Sequence, residues 1–463
     1  MSDSYLPITV IADKMFQKKN ENYLMISSSL ASYLGITFEE VIVLSLGIKK
    51  IQVRVFRGDL RKDEMVFGRD LYQQLSLPEK EIRFLTKYRK SNKTLYIGPI
   101  IALMTELQEN EENIGPNFRS VHAFCEELHH GTSSIGGFFY VFHVKNFSQT
   151  GIEGYYFEDG SWRKDMLPLP NVIYNRIHSR KLESSSAFGS VMDTINLLQI
   201  PIFNEKFLSK WEVHKILYSE EHLQPYLPDS MLFTKDHLLL LFNKYKGVYI
   251  KPINGSQGRN IIRLYSKDYR IHAKLSSGTK NEDELSFESL SQFTEWFNKR
   301  KSKNTYLVQQ EIPLLKLNER PLDFRILCHK DYQENWKITS TVARVSAEQQ
   351  FVSNIARGGE TMKPLKALSS LFDRQTATQQ VILMKELAIE TANIISQSST
   401  GIVGELGVDI GVDHTGKLWI IEVNSKPSKN FEEQEVKIRP SAKAIIEYST
   451  SLAFNQMLRL DEA

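Results

Sequence analysis

Cysteine is nearly absent: the chain holds two, Cys125 and Cys328, far apart and outside any CxxC spacing. That scarcity excludes a disulfide framework and a cysteine-built zinc site, and a reducing, cytoplasmic location fits. Long hydrophobic runs are missing as well. The most apolar stretches, Phe138–Val144 and Leu238–Phe242, fall far short of the ~18 residues a membrane span needs. Met1 to Asp13 lacks a basic stretch followed by an apolar one, so no secretory leader is read there. Neither sign of charge dominates, since 58 Lys and Arg stand against 55 Asp and Glu. Such a balance gives no reason to expect nucleic acid as a partner, though it leaves room for a local basic cleft. No Gly-Lys-Ser/Thr closes a glycine loop, so a Walker A site is excluded. No Ser/His/Asp or Cys/His constellation points to a side-chain nucleophile.

What is present fills about three domains' worth of chain, 463 residues. Residues 1–95 are rich in short apolar alternations; Ile51-Gln52-Val53-Arg54-Val55 alternates strictly, as a half-buried strand does. Ile26, Leu30, Leu34 and Ile36 are echoed at one constant offset by Phe67, Leu71, Leu75 and Leu77. Each set reads as strand, short helix and second strand, Val41–Leu46 in one copy and Glu81–Tyr88 in the other. Two such units would close a small pseudo-symmetric barrel; chance matching of apolar positions accounts equally for the echo.

Residues 96–208 read differently. Ile97–Met104 is a continuous apolar run, the mark of a strand buried on both faces. Strands at Phe138–Val144, Gly154–Phe157, Val172–Asn175 and Ile200–Phe203, with a helix at Val191–Leu198, predict an α/β layer with a mostly parallel sheet. His129-His130 is read as the end of a helix, where it would interact with the dipole. Tyr174-Asn175-Arg176 follows a buried strand, a place suited to substrate contact or to packing.

From Ser209 the chain carries its chemistry. Val248–Ile250 ends in Lys251, then a loop with Gly255, Ser256 and Gly258 leads into a second apolar strand. Glycines let backbone N–H groups approach phosphate oxygens, and a lysine supplies positive charge to the same anion. A plain hairpin with a glycine turn has the same pattern. Further on, two apolar strands joined by His414–Lys417 carry Asp409 on one and Glu422 and Asn424 on the other. A hairpin would bring the three together, Glu422 and Asn424 being two apart and so on one face. Two carboxylates and an amide oxygen are hard ligands suited to Mg²⁺, and a cation would relieve the cost of carboxylates in apolar strands. An edge hairpin with its polar face in water is the alternative. Between the clusters stand Arg325 in Asp323-Phe324-Arg325, Arg344, and Asn354 in a glycine-containing turn, groups able to line a cleft that stabilises phosphate.

The ordered set resembles the ATP-grasp superfamily, in its glutathione-synthetase-like branch, over about Ser209 to Tyr448. The elements are a lysine helix, Lys-Pro with a glycine loop, a Val-Gln hinge, Asp-x-Arg, Arg, Asn-x-x-x-Gly-Gly, Gly-Val-Asp and Glu-Val-Asn-x-x-Pro. Gly98–Thr105, Val172–Ile177 and Ser209-Lys210-Trp211 further resemble the YheC/YheD family, described as endospore-coat-associated in spore-forming bacilli. The resemblance implies an α+β, α/β multidomain chain. Its parts would be a small mainly-β domain (1–95), a Rossmann-like pre-ATP-grasp α/β domain (96–208) and an ATP-grasp domain (209–455) with a lid at about 230–306. It implies ATP and Mg²⁺, with Mn²⁺ as a substitute. Lys210 and Lys251 would meet the nucleotide, Gly255, Ser256 and Gly258 would form the lid loop, and Val308, Gln309, Gln310, Glu311 and Ile312 the adenine hinge. Asp409, Glu422 and Asn424 would hold the metal, with Arg325, Arg344 and Asn354 at the reacting phosphate. Related ligases read Val-Gln-Glu at the hinge; here Val308-Gln309-Gln310-Glu311 leaves the ribose contact open between Gln310 and Glu311. The implied reaction is carboxylate–amine ligation through an acyl phosphate, on an unidentified and peptide-like substrate, with spore-coat proteins as further partners. A non-catalytic nucleotide-binding or structural coat protein and an ATP-grasp kinase are the alternatives.

Overall fold

The computed structural model describes residues 5–13, 22–108, 115–255, 258–276, 283–301, 304–347, 359–428 and 438–459. Strands Leu6–Ala12, Tyr23–Ile26, Val41–Leu46, Lys49–Arg57, Glu64–Phe67, Ile82–Arg89 and Thr94–Gly98 close into a barrel. The echo at the start of the chain is structural. Ile26 and Phe67 end equivalent strands that pair antiparallel, Met25 opposite Val66. A short helix follows each, Ser28–Leu34 and Arg69–Gln74. Leu30, Leu34 and Ile36 fill the interior as Leu71, Leu75 and Leu77 do. Local chemistry differs between the copies. Ser27 caps the first helix and Gly35 ends it in the left-handed region (φ 70°), whereas no side chain caps the second. The pattern of buried positions, not the capping chemistry, carries the repeat.

The next layer is a six-stranded sheet. Phe138–Phe147, Ile100–Met104, Val172–Asn175 and Ile202–Phe203 run parallel in that order, and the hairpin Ile152–Glu158 with Ser161–Leu167 extends the edge antiparallel. Alternate residues of its central strand explain the apolar run. Ile100, Ala102 and Met104 join the core shared with the barrel, while Ile101 and Leu103 face helices His122–Ile135 and Pro440–Arg459. That first helix runs on past His129-His130, contrary to the sequence reading. Gly131 lies inside the helix and gives way to its neighbour: a Cβ there would lie 2.3 Å from Ile446 Cδ1 on helix Pro440–Arg459. His129 is mid-helix, and burial pulls its pKa down to about 4, so it carries no charge for a helix dipole.

Two further sheets face each other across the site. One is antiparallel, in the order Ser230–Leu232, Tyr306–Gln310, Gly247–Pro252, Ile262–Lys267, Arg270–Leu275, Asp283–Phe287, packed by helices Lys235–Tyr245 and Leu290–Arg300. The other runs Glu360–Met362, Trp336–Val345, Arg320–Lys330, Glu405–Val412, Leu418–Asn424. One face of this last sheet is apolar, with Phe324, Ile326, Ala343, Val408 and Ile410 packed under helices Arg374–Ser398 and Lys210–Tyr218. Strand alternation therefore sends Asp323, Arg325, Arg344 and Asp409 to the opposite face.

Candidate active site

Helix Lys210–Tyr218 begins with a full capping box: Ser209 accepts from the Glu212 amide and Glu212 reaches back to Ser209 N. The cap fixes Lys210 at the first helical position, and its backbone N–H donates to Ile253 O just past the strand that carries Lys251. The two lysines thus line one slot, together with Gln309 and Glu422. Leu217, Leu227, Leu307, Ile420 and Val423 give the slot apolar walls, suited to a flat heteroaromatic ring. Lys210 Nζ lies 2.5 Å from Glu422 Oε1, and Lys251 Nζ lies 2.6 Å from Gln309 Oε1. Burial, reinforced by the charge on Lys210, pulls the Lys251 ammonium down to about 8.

Beyond the slot lies the polar face of the sheet. Asp409 stands directly opposite Glu422, and Asn424 opposite Gly407, so the three oxygen donors share that face as a hairpin requires. Arg325 is the cross-strand partner of Asp409 on its other side. The guanidinium clasps the carboxylate with two bonds, one of them Arg325 Nη2 to Asp409 Oδ2 at 2.8 Å. Gly407 makes room for it; a Cβ there would approach Arg325 Cδ at 3.4 Å and Pro427 Cβ at 2.9 Å. Arg344 binds Asp323 at 2.6 and 2.9 Å and reaches Asp409 at 3.1 Å. Both arginines hold the Asp409 carboxyl below the usual carboxylate range against the opposing effect of burial, whereas burial leaves Asp323 raised. Arg325, Arg344 and Lys210 thereby offset Asp323, Asp409 and Glu422 one for one, and Lys251 leaves the site one positive charge in excess.

The hinge is more occupied than its sequence implies. Gln310 N donates to Asp229 O, and the Gln310 side chain accepts from Asp229 N at 3.2 Å. Glu311 N donates to Gly247 O while its carboxylate takes Arg263 Nε at 2.7 Å. Val308 is in mid-strand with neighbours on both sides. Both residues left open for the ribose are thus already engaged within their own sheet. Ile312 follows the strand, its carbonyl accepting from Leu314 N. Gly255 and Gly258 flank the lid loop; Ser256 and Asn354 lie outside the described residues.

Sequence reasoning missed the joint that supports this face. Arg176, fully buried, binds Glu405 at 3.1 Å, at the start of one strand that bears the oxygen donors, and Pro427 O at 2.8 Å, past the end of the other. Tyr174 and His329 complete the coordination of Glu405 at 2.5 and 2.9 Å. Tyr174-Asn175-Arg176 therefore serves packing. The signal was an ionisable residue directly after the short strand Val172–Asn175.

Among the described residues no helix is long and apolar enough to cross a membrane, and no three His, Cys, Asp or Glu side chains cluster as a metal site. The oxygen set counted above includes Asn424, so it is of another kind.

A glycine-looped antiparallel sheet facing a carboxylate-bearing sheet is the ATP-grasp arrangement. The model of the YheC/D-like ATP-grasp family matches residues 199–452, and the chain belongs to that family. Endospore coat-associated protein YheD of Bacillus subtilis (strain 168) is 28% identical over 419 residues, 89% of each chain. Endospore coat-associated protein YheC of the same organism is 23% identical over 279 residues, 59% of this chain and 75% of that one. Among solved structures, the D-alanine–D-alanine ligase from Coxiella burnetii is 10% identical, covers 78% of this chain and 97% of its own, and has a TM-score of 0.45.

Proposed function

We propose that the protein binds Mg-ATP and uses it to join a carboxylate to an amine. The observation that carries this reading is the apolar slot with Lys210, Lys251 and Glu422 at its polar end, continuous with the Asp409 and Asn424 face. Adenine takes the slot, Lys251 and Lys210 take phosphate oxygens, and Arg325 and Arg344 take charge that develops at the transferred phosphoryl group. Asp409, Glu422 and Asn424 suit Mg²⁺ by donor type, and the low pKa of Asp409 keeps it an anion. When bound, the metal neutralises phosphate charge. Glu422 serves it once Lys210 turns from the carboxylate to the nucleotide.

A substrate carboxylate oxygen attacks the γ-phosphorus; ADP leaves and an acyl phosphate forms. An amine then attacks the acyl carbon, inorganic phosphate departs with its bridging oxygen, and the amine proton passes to solvent. The resemblance assigns Gly255, Ser256 and Gly258 to a lid loop that would exclude water and Asn354 to a place near the metal, Ser256 and Asn354 lying outside the described residues. Residues 1–95, 96–208 and 209–455 are taken as barrel, pre-ATP-grasp and ATP-grasp domains. We place the protein in the cytoplasm on its two unpaired, buried cysteines, and at the spore coat on the names of its relatives.

The test is incubation of the full chain with Mg-ATP and pools of carboxylates and amines, following ADP, phosphate and new amide mass. Amide formation that vanishes in Glu422→Ala supports the ligase. Tight Mg-ATP binding without turnover makes it a nucleotide-binding coat protein, and phosphorylated product without amide a kinase. If wild type does not bind Mg-ATP, the reading fails.

A further inference from the structure

A second cavity opens beside the first. It is solvent-open, of about 630 Å³, and meets the slot at consecutive residues, Lys251 lining the slot and Pro252 the cleft. Its charged lining is Arg180, Lys181, Arg259 and Glu183, a majority of cations. Glu183 offsets Arg180 only in part, burial still pulling the guanidinium down. One of its oxygens takes the buried Lys426 ammonium and Asn175 Nδ2, and the other takes Phe207 N. Among the described residues none of the three cations makes an ion pair. Arg180 is the telling one. It is half-buried, lies 4.5 Å over the Phe207 ring, and donates only to neutral acceptors, Leu208 O at 3.2 Å and Asn254 Oδ1 at 3.4 Å. A guanidinium removed from water without a carboxylate is costly, and an anionic ligand removes that cost. Stacking fixes its plane and leaves its fork to meet a carboxylate edge-on.

The rest of the lining narrows the class. Asn254, Asn260 and Asn304 each offer a donor and an acceptor, the complement of a peptide group. We propose that this cleft binds an acidic peptide, gripping its side-chain carboxylates with Arg180, Lys181 and Arg259 and its backbone amides with the asparagines. The inference rests on the ligase reading for its consequence, that one carboxylate of this peptide is the group activated. The cleft itself can be tested apart from ATP.

Hexaglutamate is titrated into the full chain by calorimetry, with and without Mg-ATP, beside hexaalanine, free glutamate and a single-stranded oligonucleotide. The expected result is hexaglutamate binding that weakens with salt, exceeds that of the other three, and falls about tenfold in Arg180→Ala. Lys181→Glu and Arg259→Glu, both at exposed positions, should weaken it as well and guard against a folding defect in the Arg180 variant. Mg-ATP affinity should stay within about twofold in all three. No hexaglutamate binding in either state overturns the proposal, as does an oligonucleotide that binds more tightly than the peptide. Variants that lose Mg-ATP but keep the peptide also overturn it, because the cations then belong to the nucleotide. Peptide binding with no Mg-ATP binding would leave the cleft standing and sink the ligase reading instead.

Discussion

Asp409→Asn keeps the shape of a side chain that is 5% exposed and deletes its charge. Two guanidiniums depend on that charge. Arg344 retains both bonds to Asp323, so it loses little. Arg325 has no other carboxylate among the described residues, and its side chain is only 21% exposed. Orphaning a buried charge costs ~3–5 kcal/mol. The asparagine oxygen still accepts one bond and part of Arg325 reaches water, which puts the loss near ~3 kcal/mol, or on the order of 100-fold in local opening. Hydrogen exchange of peptides spanning Arg320–Lys330 and Glu405–Val412 reads this directly, since those strands pair through the affected residues. Combining Asp409→Asn with Arg325→Met removes the orphan, so the double variant should be more protected than Asp409→Asn alone. A double variant that exchanges as fast as the sum of both single changes would refute the reasoning, because the arginine would then stabilise the sheet without the aspartate. Acid acts in the same direction. The folded pKa of Asp409 is depressed, so its contribution is complete above the ordinary carboxylate value and is lost as pH falls through the lower folded one.

Lys251 sets an alkaline limit. With its folded pKa near 8, Mg-ATP affinity should decline as pH rises through about 8, where an ordinary lysine would hold its charge to ~10.4. Calorimetry at pH 8.5 in buffers of different ionisation enthalpy should register proton uptake on binding, and its absence would mean that Lys251 does not face phosphate. The same depression makes the unfolded chain bind more protons between the two values, so Lys251 alone makes the free protein more stable with rising pH across that window. Because the polar face is charge-balanced and Lys251 adds one positive charge, Mg²⁺ alone should bind weakly. Mg-ATP should bind well, a contrast that one pair of titrations checks. Arg176→Met should leave Glu405 buried without its counter-ion and cost ~3 kcal/mol or more. Its urea midpoint should fall, whereas the same change at exposed Lys181 should leave it within ~0.5 kcal/mol of wild type.

The strands that carry the site were legible because their alternation is strict and the turn at His414–Lys417 fixes which strands meet. Asp409 opposite Glu422 followed from that turn. The partner of Arg325 did not follow from it. That contact depends on the register of Arg320–Lys330 against Glu405–Val412, strands some eighty residues apart with no turn to set it. Arg325 therefore read as a phosphate ligand, and the structure shows it clasping a carboxylate. The barrel repeat was legible for the opposite reason, since identical spacing of buried positions survives even where caps differ. The helix that the sequence reading ended at His129-His130 runs on to Ile135, and its Gly131 admits Ile446 from another helix, a contact that no local spacing shows. Arg180 was invisible: its significance lies in what Glu183 is already bonded to, which no local pattern encodes.

The helix Pro440–Arg459 ends the described chain, yet Ala442, Ile445, Ile446 and Tyr448 complete the core over strands Ile100–Met104 and Val172–Asn175. On the ribosome, the parallel layer is finished by Phe203 and its cover comes only with residue 459. At about 5–20 residues per second, that interval lasts on the order of 10–50 s. Throughout it Leu103, Phe124, Val141 and Tyr174 lack the surface that later hides them. Folding of this layer thus waits until residue 459 has left the ribosome, and the nascent protein is a natural client for a holding chaperone.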